Sequence, residues 1–595
     1  MRVARVVAIL VLLGRTPFSP SACGTAPGPW KRPDLSESIR VDQVGYLPLR
    51  PKLAVVTDSR ATGGFAVRRA GDGAEVQSGT LGAPQADADT GDTVRIADFS
   101  ALTQRGSFYL DVAGVGASHE FDVGTDVYAG AFRLVARAFY GQRCGMAVDL
   151  GPTHPGYSHP ACHVLGTRNP DVLLHASAGA TGAIDGTGGW HDAGDYGKYV
   201  VNSGITTGEL LWTYESFADR VGAVDLGIPE SGNGVPDVLD EIRWSLDWML
   251  KMQDGDGGVW HKLTSERFGS FVMPHLDDGG PRYVIGTGTP PYKSSCATGD
   301  FAAVMAIAAR VFRPFDGDFA ARALFAAEQA WRWLSKYPSV AFTNCCGVVT
   351  GEYGDGSCAD ERLWAAAELF RTTGAPEYGT YFLASEASGS TFGAAAPPSW
   401  QNVRSLALLS YGLSPRPEGD GAVRSRIRAE VTAAAAAIVA RTNANPYHVS
   451  LRSTDYVWGS NGVAASYGVV LALAHQVQPD PALLDAAAEN LHYLLGRNTF
   501  GLSWVTQLGD RPFRNPHHRP SGADSNADPW PGLLSGGPNR YGGDPVIDAM
   551  PATPPARRYK DDQASYASNE IAINWNAPLV FLLASLLPEP GAPGR

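Results

Sequence analysis

Charged residues are scarce in this chain. Only 18% of its 595 residues are Asp, Glu, Lys or Arg, and the formal net charge is −12. No basic stretch offers the positive surface that nucleic-acid phosphates require, so we expect no nucleic-acid partner. The hydrophobic share of 44% fits a large folded core, whereas a disordered chain would carry more charge and fewer aromatic residues.

Long apolar runs are lacking as well. The apolar stretch near the start, residues 6–13, is too short to cross a bilayer. Arg2 and Arg5 flank it on one side and small residues follow it, which is the pattern of a secretory signal peptide. We therefore predict a signal peptide over residues 1–23 and an exported protein without a membrane span. Lipid attachment at Cys23 is the alternative.

Cysteine is rare for so long a chain, with seven in total. An exported protein permits disulfides. Cys358 lies close enough in sequence to Cys345 and Cys346 to pair with either, and the sequence does not choose between them.

The pattern of apolar residues divides the chain into unlike parts. Residues 24–37 are rich in Pro, Gly and Ser and are predicted to form a flexible leader. Over residues 38–124, short β-like runs alternate with turns, which predicts a small β-sandwich. Over residues 125–588, helical periodicity predicts about a dozen helices with long loops between them. A dozen consecutive helices fit a barrel of six helical hairpins whose loops build one face.

Two acidic segments lie far apart, and each is set among aromatic residues and glycines. The first holds Asp192 and Asp195, and the second holds Asp561 and Glu570. Hydrolysis of a glycosidic bond needs two opposed carboxyl groups, and neighbouring rings can stack on sugar faces. One such segment alone would more often be a calcium loop or a solvated turn. Two of them, with a histidine cluster between, favour an enzyme.

Three stretches together resemble glycoside hydrolase family 9, the inverting cellulase family with an N-terminal immunoglobulin-like domain. They are residues 192–195, 503–519 and 559–576. The resemblance implies a mostly α fold, an (α/α)6 barrel preceded by a small immunoglobulin-like β-sandwich. It also implies cleavage of internal β-1,4 bonds of cellulose or related β-glucans, and we expect the protein to be a monomer.

Two other activities remain open within this family. An exo-acting cellobiohydrolase and a glucosaminidase-type enzyme would use the same acids, and the lengths of the loops at the cleft ends would decide between endo and exo action. A carbohydrate-binding protein that has lost catalysis would lack one of the acids. Asp192, Asp195 and Glu570 are all present.

By this resemblance, Asp195 is the general base that activates a water molecule, and Asp192 helps to hold that water. Glu570 is the general acid. The resemblance also assigns His517 and Asp561 to catalysis, and Arg519, His261 and Trp458 to substrate binding. For Asp561 the alternative is a structural loop carboxylate. For Trp458 it is a core aromatic.

The resemblance further implies structural metals. Cys144, Cys162, His163 and His191 would form a tetrahedral Cys2His2 zinc site, with a Cys144–Cys162 disulfide as the main alternative. The predicted calcium ligands are Glu230, Asn233 and Asp237 in one loop, and Asp360 and Glu361 in another. For both loops the alternative is helix N-capping, by Asp237 and Asp360.

Overall fold

The computed structural model of this chain describes residues 31–61, 63–386 and 397–589. The predicted signal peptide and residues 24–30 of the predicted leader lie outside these ranges. Within them, no helix combines the length and the apolar character that crossing a membrane requires.

The first part is a sandwich of two β-sheets. Its strands are β1 (Ile39–Arg40), β2 (Gly45–Tyr46), β3 (Leu53–Val56), β4 (Gly64–Arg69), β5 (Glu75–Thr80), β6 (Gln85–Ala86), β7 (Thr93–Asp98), β8 (Gly106–Val112), β9 (Gly116–Ala117) and β10 (Phe121–Val123). One sheet has the order β1-β3-β7-β6, and the other has the order β2-β10-β8-β4-β5 with β9 beside β8. Because side chains alternate along a strand, one face of each sheet supplies the core, which includes Val56, Ala97, Val67 and Phe108.

The predicted leader, residues 24–37, includes residues that belong to the sandwich. The Ala117 amide donates to the carbonyl of Asp34 at 2.9 Å, and the Ser36 amide donates to the carbonyl of Ala117 at 2.8 Å. Residues 34–37 therefore run beside β9 as part of the folded domain, and the prediction of flexibility is wrong for them.

The second part is a helical barrel. In the described ranges it contains twelve helices of ten or more residues. These are α1 (Ala129–Gly141), α2 (Val200–Val221), α3 (Asp237–Lys251), α4 (Ser295–Val311), α5 (Gly317–Lys336), α6 (Ala359–Thr373), α7 (Pro376–Glu386), α8 (Arg404–Leu413), α9 (Gly421–Ala444), α10 (Ser460–Val477), α11 (Pro481–Leu494) and α15 (Ile573–Leu586). The short helices α12 (Arg519–Ala523), α13 (Pro545–Asp548) and α14 (Tyr566–Asn569) lie in the last long loop.

The long helices form two rings. Helices α2, α4, α6, α8, α10 and α15 contact one another in that order and close an inner ring. Each also packs against an outer helix, and the inner α4 is buried along almost its whole length. The outer α5 instead buries one stripe at helical spacing, which includes Phe319, Ala323 and Ala330. The predicted (α/α)6 barrel is confirmed.

The long loops carry small sheets of their own. A hairpin joins β11 (Val148–Asp149) and β12 (Ser158–His159). A four-stranded sheet has the order β13 (Leu173–Leu174), β16 (Arg282–Ile285), β15 (Lys262–Ser265) and β14 (Lys198–Tyr199). Because β14 leads directly into α2, this sheet holds the loop over residues 252–294 against the start of an inner helix.

One disulfide joins Cys296 in α4 to Cys358, the residue before α6. Cys345 and Cys346 are free, so neither predicted partner of Cys358 is used. The true partner is 62 residues away in sequence. It is brought close because α4 and α6 are neighbours in the inner ring, and sequence spacing does not show that.

Candidate active site

A cleft of about 1070 Å³ opens at one end of the barrel. Several of its lining residues stand just before inner helices: Tyr199 before α2, Tyr353 before α6, Trp400 before α8, Trp458 before α10 and Glu570 before α15. The cleft is therefore built at the N-terminal ends of the inner helices. Its walls combine aromatic rings with carboxylates, which suits a polar ligand that has apolar faces.

The two acidic segments are joined directly by backbone contacts. Ala193 and Ala572 form an antiparallel bridge. The amide of Ile573 donates to the carbonyl of Asp192 at 2.9 Å. Residues that are far apart in sequence, Asp192 and Glu570, are thereby placed in the walls of one cleft.

The histidine-containing stretch meets both acidic segments at Gly194. The carbonyl of Gly194 accepts the backbone amide of Arg519 at 3.0 Å, and His517 pairs with Glu570 in a parallel bridge. A Cβ atom at Gly194 would lie 1.9 Å from the carbonyl oxygen of His517. Only glycine fits there, which explains the small residue between the two aspartates.

Asp192 is buried and firmly held. Its Oδ1 accepts the Asn202 amide at 2.6 Å, and its Oδ2 accepts the Tyr353 hydroxyl at 2.7 Å. Burial raises the pKa of Asp192 to about 7, the neighbouring Asp195 adds to that rise, and the two hydrogen bonds oppose it.

Asp195 is partly exposed to the cleft. Its Oδ1 accepts the Gly197 amide at 3.0 Å, and its Oδ2 accepts the Tyr199 hydroxyl at 3.3 Å. These two donors fix the carboxylate, and its exposure leaves room for a solvent molecule beside it.

Glu570 lines the cleft together with both aspartates. Burial raises the pKa of Glu570 well above its ordinary value, and the negative charges of Asp195 and Asp192 raise it further. Arg519 and a backbone hydrogen bond from Gly194 oppose the shift. The site thus places a carboxyl group with a raised pKa, which suits a proton donor, in one cleft with two further carboxyl groups, as acid–base chemistry requires.

His517 stands beside this acid. Its Nδ1 donates to the carbonyl of Gln563 at 2.7 Å, so in the neutral ring Nε2 is an acceptor. Burial lowers the pKa of His517, which keeps the ring neutral. Phe271 and Tyr566 pack edge-on against the ring and fix its plane.

Arg519 lines the cleft, but its guanidinium donates hydrogen bonds to backbone carbonyls. Its guanidinium donates to the carbonyls of Gly194 at 3.0 Å, Gly269 at 3.0 Å and Ser270 at 3.2 Å. It therefore ties the loop over residues 268–271 to the catalytic turn. This contact places Phe268, which is 51% exposed, in the cleft wall.

Asp561 does not line the cleft. Its carboxylate accepts the amides of Arg514 at 2.9 Å and Asn515 at 2.8 Å, and the Asn569 side chain at 3.2 Å. These bonds shape the turn before His517 and hold the residue next to Glu570. The structure assigns Asp561 a positioning role, so its placement among the catalytic residues is corrected.

The two other predicted binding residues have opposite outcomes. His261 is 1% exposed, stacks on Phe342 at 3.8 Å between ring centroids and bonds the carbonyl of Glu352 at 3.0 Å. It lies behind the cleft wall, so the prediction of substrate contact is wrong. Trp458 is 43% exposed and lines the cleft, so its alternative as a core aromatic is wrong.

Sequence reasoning missed several aromatic residues of the cleft wall. The missed residues are Tyr199, Phe268, Tyr353 and Trp400. Three of them precede an inner helix by one to six residues, as Trp458 does. The sequence signal that could have identified these three is an aromatic residue just before a buried helix.

The four predicted zinc ligands converge. Sγ of Cys144 lies 3.4 Å from Nδ1 of His163, Sγ of Cys162 lies 3.9 Å from Nε2 of His191, and the two ring nitrogens are 3.4 Å apart. All four atoms lie within 4.8 Å of one another, and no other such group in the described ranges converges as closely. A tetrahedral zinc ion with its usual bonds has ligand–ligand edges of about 3.4–3.8 Å.

The surroundings of this quartet also fit a zinc ion. Both cysteines are free, so the alternative of a disulfide between them is wrong. Nε2 of His163 lies 3.3 Å from the carboxylate of Asp277, which is the outer-shell partner that metal-bound histidines commonly have.

The three predicted ligands of the first calcium loop already have protein partners, although one oxygen of the neighbouring Asp240 has none. The carboxylate of Glu230 pairs with Arg143 at 2.9 Å. Asp237 accepts the Leu226 amide at 2.8 Å and the Ser231 hydroxyl, and Asn233 accepts the Val235 amide at 2.7 Å. These contacts favour a structural role over calcium binding.

The second predicted calcium loop contains carboxylates without partners. Both oxygens of Glu361 are buried without a hydrogen bond, and so are both oxygens of Asp300 in α4, which the sequence did not bring to attention. Asp360 accepts the Val403 amide at 2.9 Å, and one oxygen of Asp355 has no partner. Buried carboxylates without hydrogen-bond partners are the kind of group that a cation can satisfy.

Comparisons with known proteins identify the family of both domains. A model described as glycosyl hydrolase family 9 matches residues 128–583, and one described as cellulase N-terminal ig-like domain matches residues 34–117. Endoglucanase D of Acetivibrio thermocellus is 39% identical over 551 residues, which cover 92% of this chain and 83% of that protein. Xyloglucan-specific endo-beta-1,4-glucanase BoGH9A of Bacteroides ovatus is 36% identical over 575 residues, which cover 93% of this chain and 94% of that protein.

A solved structure shows the same fold. The crystal structure of GH family 9 endoglucanase J30 superposes with a TM-score of 0.85 at 35% identity, and the match covers 91% of this chain and 100% of that one. With the barrel, the sandwich and the three convergent stretches, these matches show that the chain belongs to glycosyl hydrolase family 9.

Proposed function

We propose that this protein is an exported endo-β-1,4-glucanase that hydrolyses β-glucans with inversion of configuration. The observation that carries the proposal is the arrangement of Glu570, whose pKa is raised, with Asp192 and Asp195 in one aromatic cleft. The endoglucanase relatives support the same activity.

The roles follow from the position and surroundings of each group. Glu570 holds a proton and donates it to the glycosidic oxygen as the bond breaks. Asp195 accepts a proton from the water that attacks the opposite face of the sugar, and Asp192 positions that water. A single displacement from the opposite face inverts the anomeric carbon.

The aromatic residues of the cleft supply binding. Trp400, Trp458 and Phe268 present rings on which glucose units can stack, and hydroxyl groups of the sugar can bond the neighbouring polar groups. Digestion of defined glucan and chitosan oligomers separates the candidate activities. Products of mixed length indicate endo cleavage, uniform cellobiose indicates a cellobiohydrolase, and cleavage of chitosan alone indicates a glucosaminidase.

Substitution Glu570→Gln tests the role of the acid. We expect kcat on natural glucan to fall about 10²–10⁴-fold because the proton donor is lost. On an aryl glycoside with an acidic leaving group the loss should be much smaller, since that group departs without protonation. Initial rates on both substrates and the anomeric form of the first products, followed by NMR, are the measurements.

The matched control is Asp219→Asn, which also changes a carboxylate to an amide but at an exposed position of α2. It should leave both rates unchanged. Equal losses on both substrates in Glu570→Gln, or products that retain the starting configuration, would refute the assignment.

We also propose a structural zinc ion at Cys144, Cys162, His163 and His191. With four protein ligands no coordination position stays open, so the ion would hold the loop before the catalytic turn and would not take part in hydrolysis. His191 immediately precedes Asp192, which makes this loop a direct support of the site.

We propose a calcium ion at the second predicted loop, with Asp300, Asp355 and Glu361 as its ligands. Calcium accepts six to eight oxygen ligands, which include backbone carbonyls and water, so these carboxylates need not converge as tightly as the zinc ligands. Asp360 adds negative charge beside Glu361, and its carboxylate also accepts the Val403 amide. The predicted ligands Glu230, Asn233 and Asp237 of the first loop are set aside, because protein donors already occupy them.

Export from the cell belongs to the same proposal. The described disulfide between Cys296 and Cys358 fits an oxidising compartment, and the predicted signal peptide would direct the chain there. We propose that the exported protein acts as a monomer on polysaccharide. Light scattering of the purified protein measures its oligomeric state.

A further inference from the structure

Two adjacent free thiols lie on a loop that forms part of the cleft wall. The Sγ atoms of Cys345 and Cys346 are 2.8 Å apart. Cys346 is exposed and Cys345 is partly exposed. Neither takes part in the proposed hydrolysis, in the zinc quartet or in the disulfide.

The two sulfurs are held against a fixed piece of backbone. A Cβ atom at Gly288 would lie 2.6 Å from Sγ of Cys345 and 3.4 Å from Sγ of Cys346, so the absence of a side chain there makes room for both sulfurs. The Gly288 amide in turn donates to the carbonyl of Ser177 at 3.0 Å. Cys345 thus lies against the backbone at Gly288, while Cys346 stays accessible to solvent.

The same loop reaches the catalytic carboxylates. Asn344, next to the thiols, accepts the Lys262 ammonium at 2.7 Å and lines the cleft. Residues 349–353 continue along the cleft wall. The loop ends at Tyr353, whose hydroxyl holds Asp192 at 2.7 Å. A covalent change at the thiols is therefore made at one end of a segment whose other end supports the site.

We propose that Cys345 and Cys346 form a redox-modification site. Thiol–disulfide exchange with a low-molecular-weight disulfide converts them into a vicinal disulfide and stiffens the cleft wall over residues 344–353.

The exchange proceeds in two balanced steps. The thiolate of Cys346 attacks one sulfur of the small disulfide, which forms a mixed disulfide and releases one small thiol. Cys345 then gives up its proton and attacks the sulfur of Cys346, which closes the protein disulfide and releases the second small thiol. The protein loses two electrons and two protons, and the small disulfide gains both. Cys346 is the more exposed thiol and therefore reacts first, while burial and the contact with Cys346 raise the pKa of Cys345.

Peptide mass after treatment with oxidised glutathione tests the proposal. The full-length reduced protein is exposed to the reagent, its remaining thiols are blocked with N-ethylmaleimide, and it is cut with chymotrypsin. Cleavage after Phe342 and Tyr353 releases residues 343–353, which contain both cysteines and no other. We expect this peptide to lack two hydrogens and to carry neither maleimide nor glutathione. Two maleimide groups, or a stable glutathione adduct, would overturn the proposal.

Two variants and a second readout sharpen the test. Cys345→Ser should trap one glutathione on Cys346, because the resolving thiol is gone. Cys346→Ser should react far more slowly, and equal rates for the two variants would contradict the order of attack. In the wild type, amide hydrogen exchange over residues 344–353 should slow after oxidation and recover with reductant, while Cys346→Ser shows no change. Unchanged exchange in the wild type would overturn the stiffening of the wall. These readouts are independent of the hydrolytic activity.

Discussion

Two acidic clusters of the barrel contain similar residues but differ in charge balance. Around Arg143, Glu241 and Glu230 each place a carboxylate within 3.0 Å of the guanidinium, and Arg143 itself is fully buried. Around Asp300 and Glu361 no lysine or arginine of the described chain forms an ion pair, and both carboxylates are fully buried.

This difference teaches that acidic residues in a glycine-containing loop do not by themselves identify a metal site. In the first cluster the protein supplies its own cation, Arg143, which is the residue before the proposed zinc ligand Cys144. In the second, burial and the negative charges of neighbouring carboxylates, which include Asp360 and Asp355, raise the pKa values of Asp300 and Glu361 well above their ordinary range. A bound cation would reverse that effect.

The largest effect is expected from Arg143→Met. Loss of the guanidinium leaves Glu241, a fully enclosed carboxylate, without its cation, and we expect the free energy of unfolding to fall by about 3–5 kcal/mol. Chemical denaturation measures this. The double variant Arg143→Met/Glu241→Gln should recover part of the loss, because the uncompensated charge is then gone. No recovery would show that Arg143 stabilises by packing on Trp244, 4.8 Å away, and not by charge balance.

Calcium should act on the second cluster. At a free concentration of 100 times its dissociation constant, we expect about 2.7 kcal/mol of added stability, which excess EGTA removes. The variant Asp300→Asn/Glu361→Gln should lose this response and should melt at a higher temperature than the metal-free wild type at neutral pH. A calcium response that persists in the variant would place the ion elsewhere.

The pH dependence of the metal-free protein gives a smaller effect. Because burial raises the pKa values of Asp300 and Glu361 in the folded state, their stabilising contribution is complete below the unfolded value of about 4 and is lost as the pH rises toward the folded values. The slope for each group approaches about 1.4 kcal/mol per pH unit. Thermal melting in EGTA across this range should show a decline that calcium, or Asp300→Asn/Glu361→Gln, flattens.

The smallest effect is expected from Glu230→Gln. Its side chain is 31% exposed, and Arg143 keeps Glu241 as a partner, so we expect a loss of about 1 kcal/mol or less. The calcium-dependent rise in melting temperature should be unchanged. If it disappears, the first loop binds the ion and the contrast between the two clusters fails.

The sequence predicted the fold well because its signals are local and repeated. Helical periodicity located the twelve long helices, and β-like runs located β3, β4, β7, β8 and β10 of the sandwich but not β5, β6 or β9. The three motif stretches placed Asp192, Asp195 and Glu570 in one site before any distance was known. The end of the leader was misplaced because residues 34–37 gain their order from contacts with β9, which are not local.

Local patterns in the sequence were sufficient to identify the two domains, the family and the acids at the centre of the cleft. Tertiary structure alone decided which atoms those residues face. It buried His261, gave Asp561 a positioning role, paired Cys358 with Cys296 and placed no lysine or arginine of the described chain in an ion pair with Asp300. The physical reason is that periodicity and spacing depend on neighbours along the chain, whereas burial, charge balance and sulfur pairing depend on residues that only the closed barrel brings together.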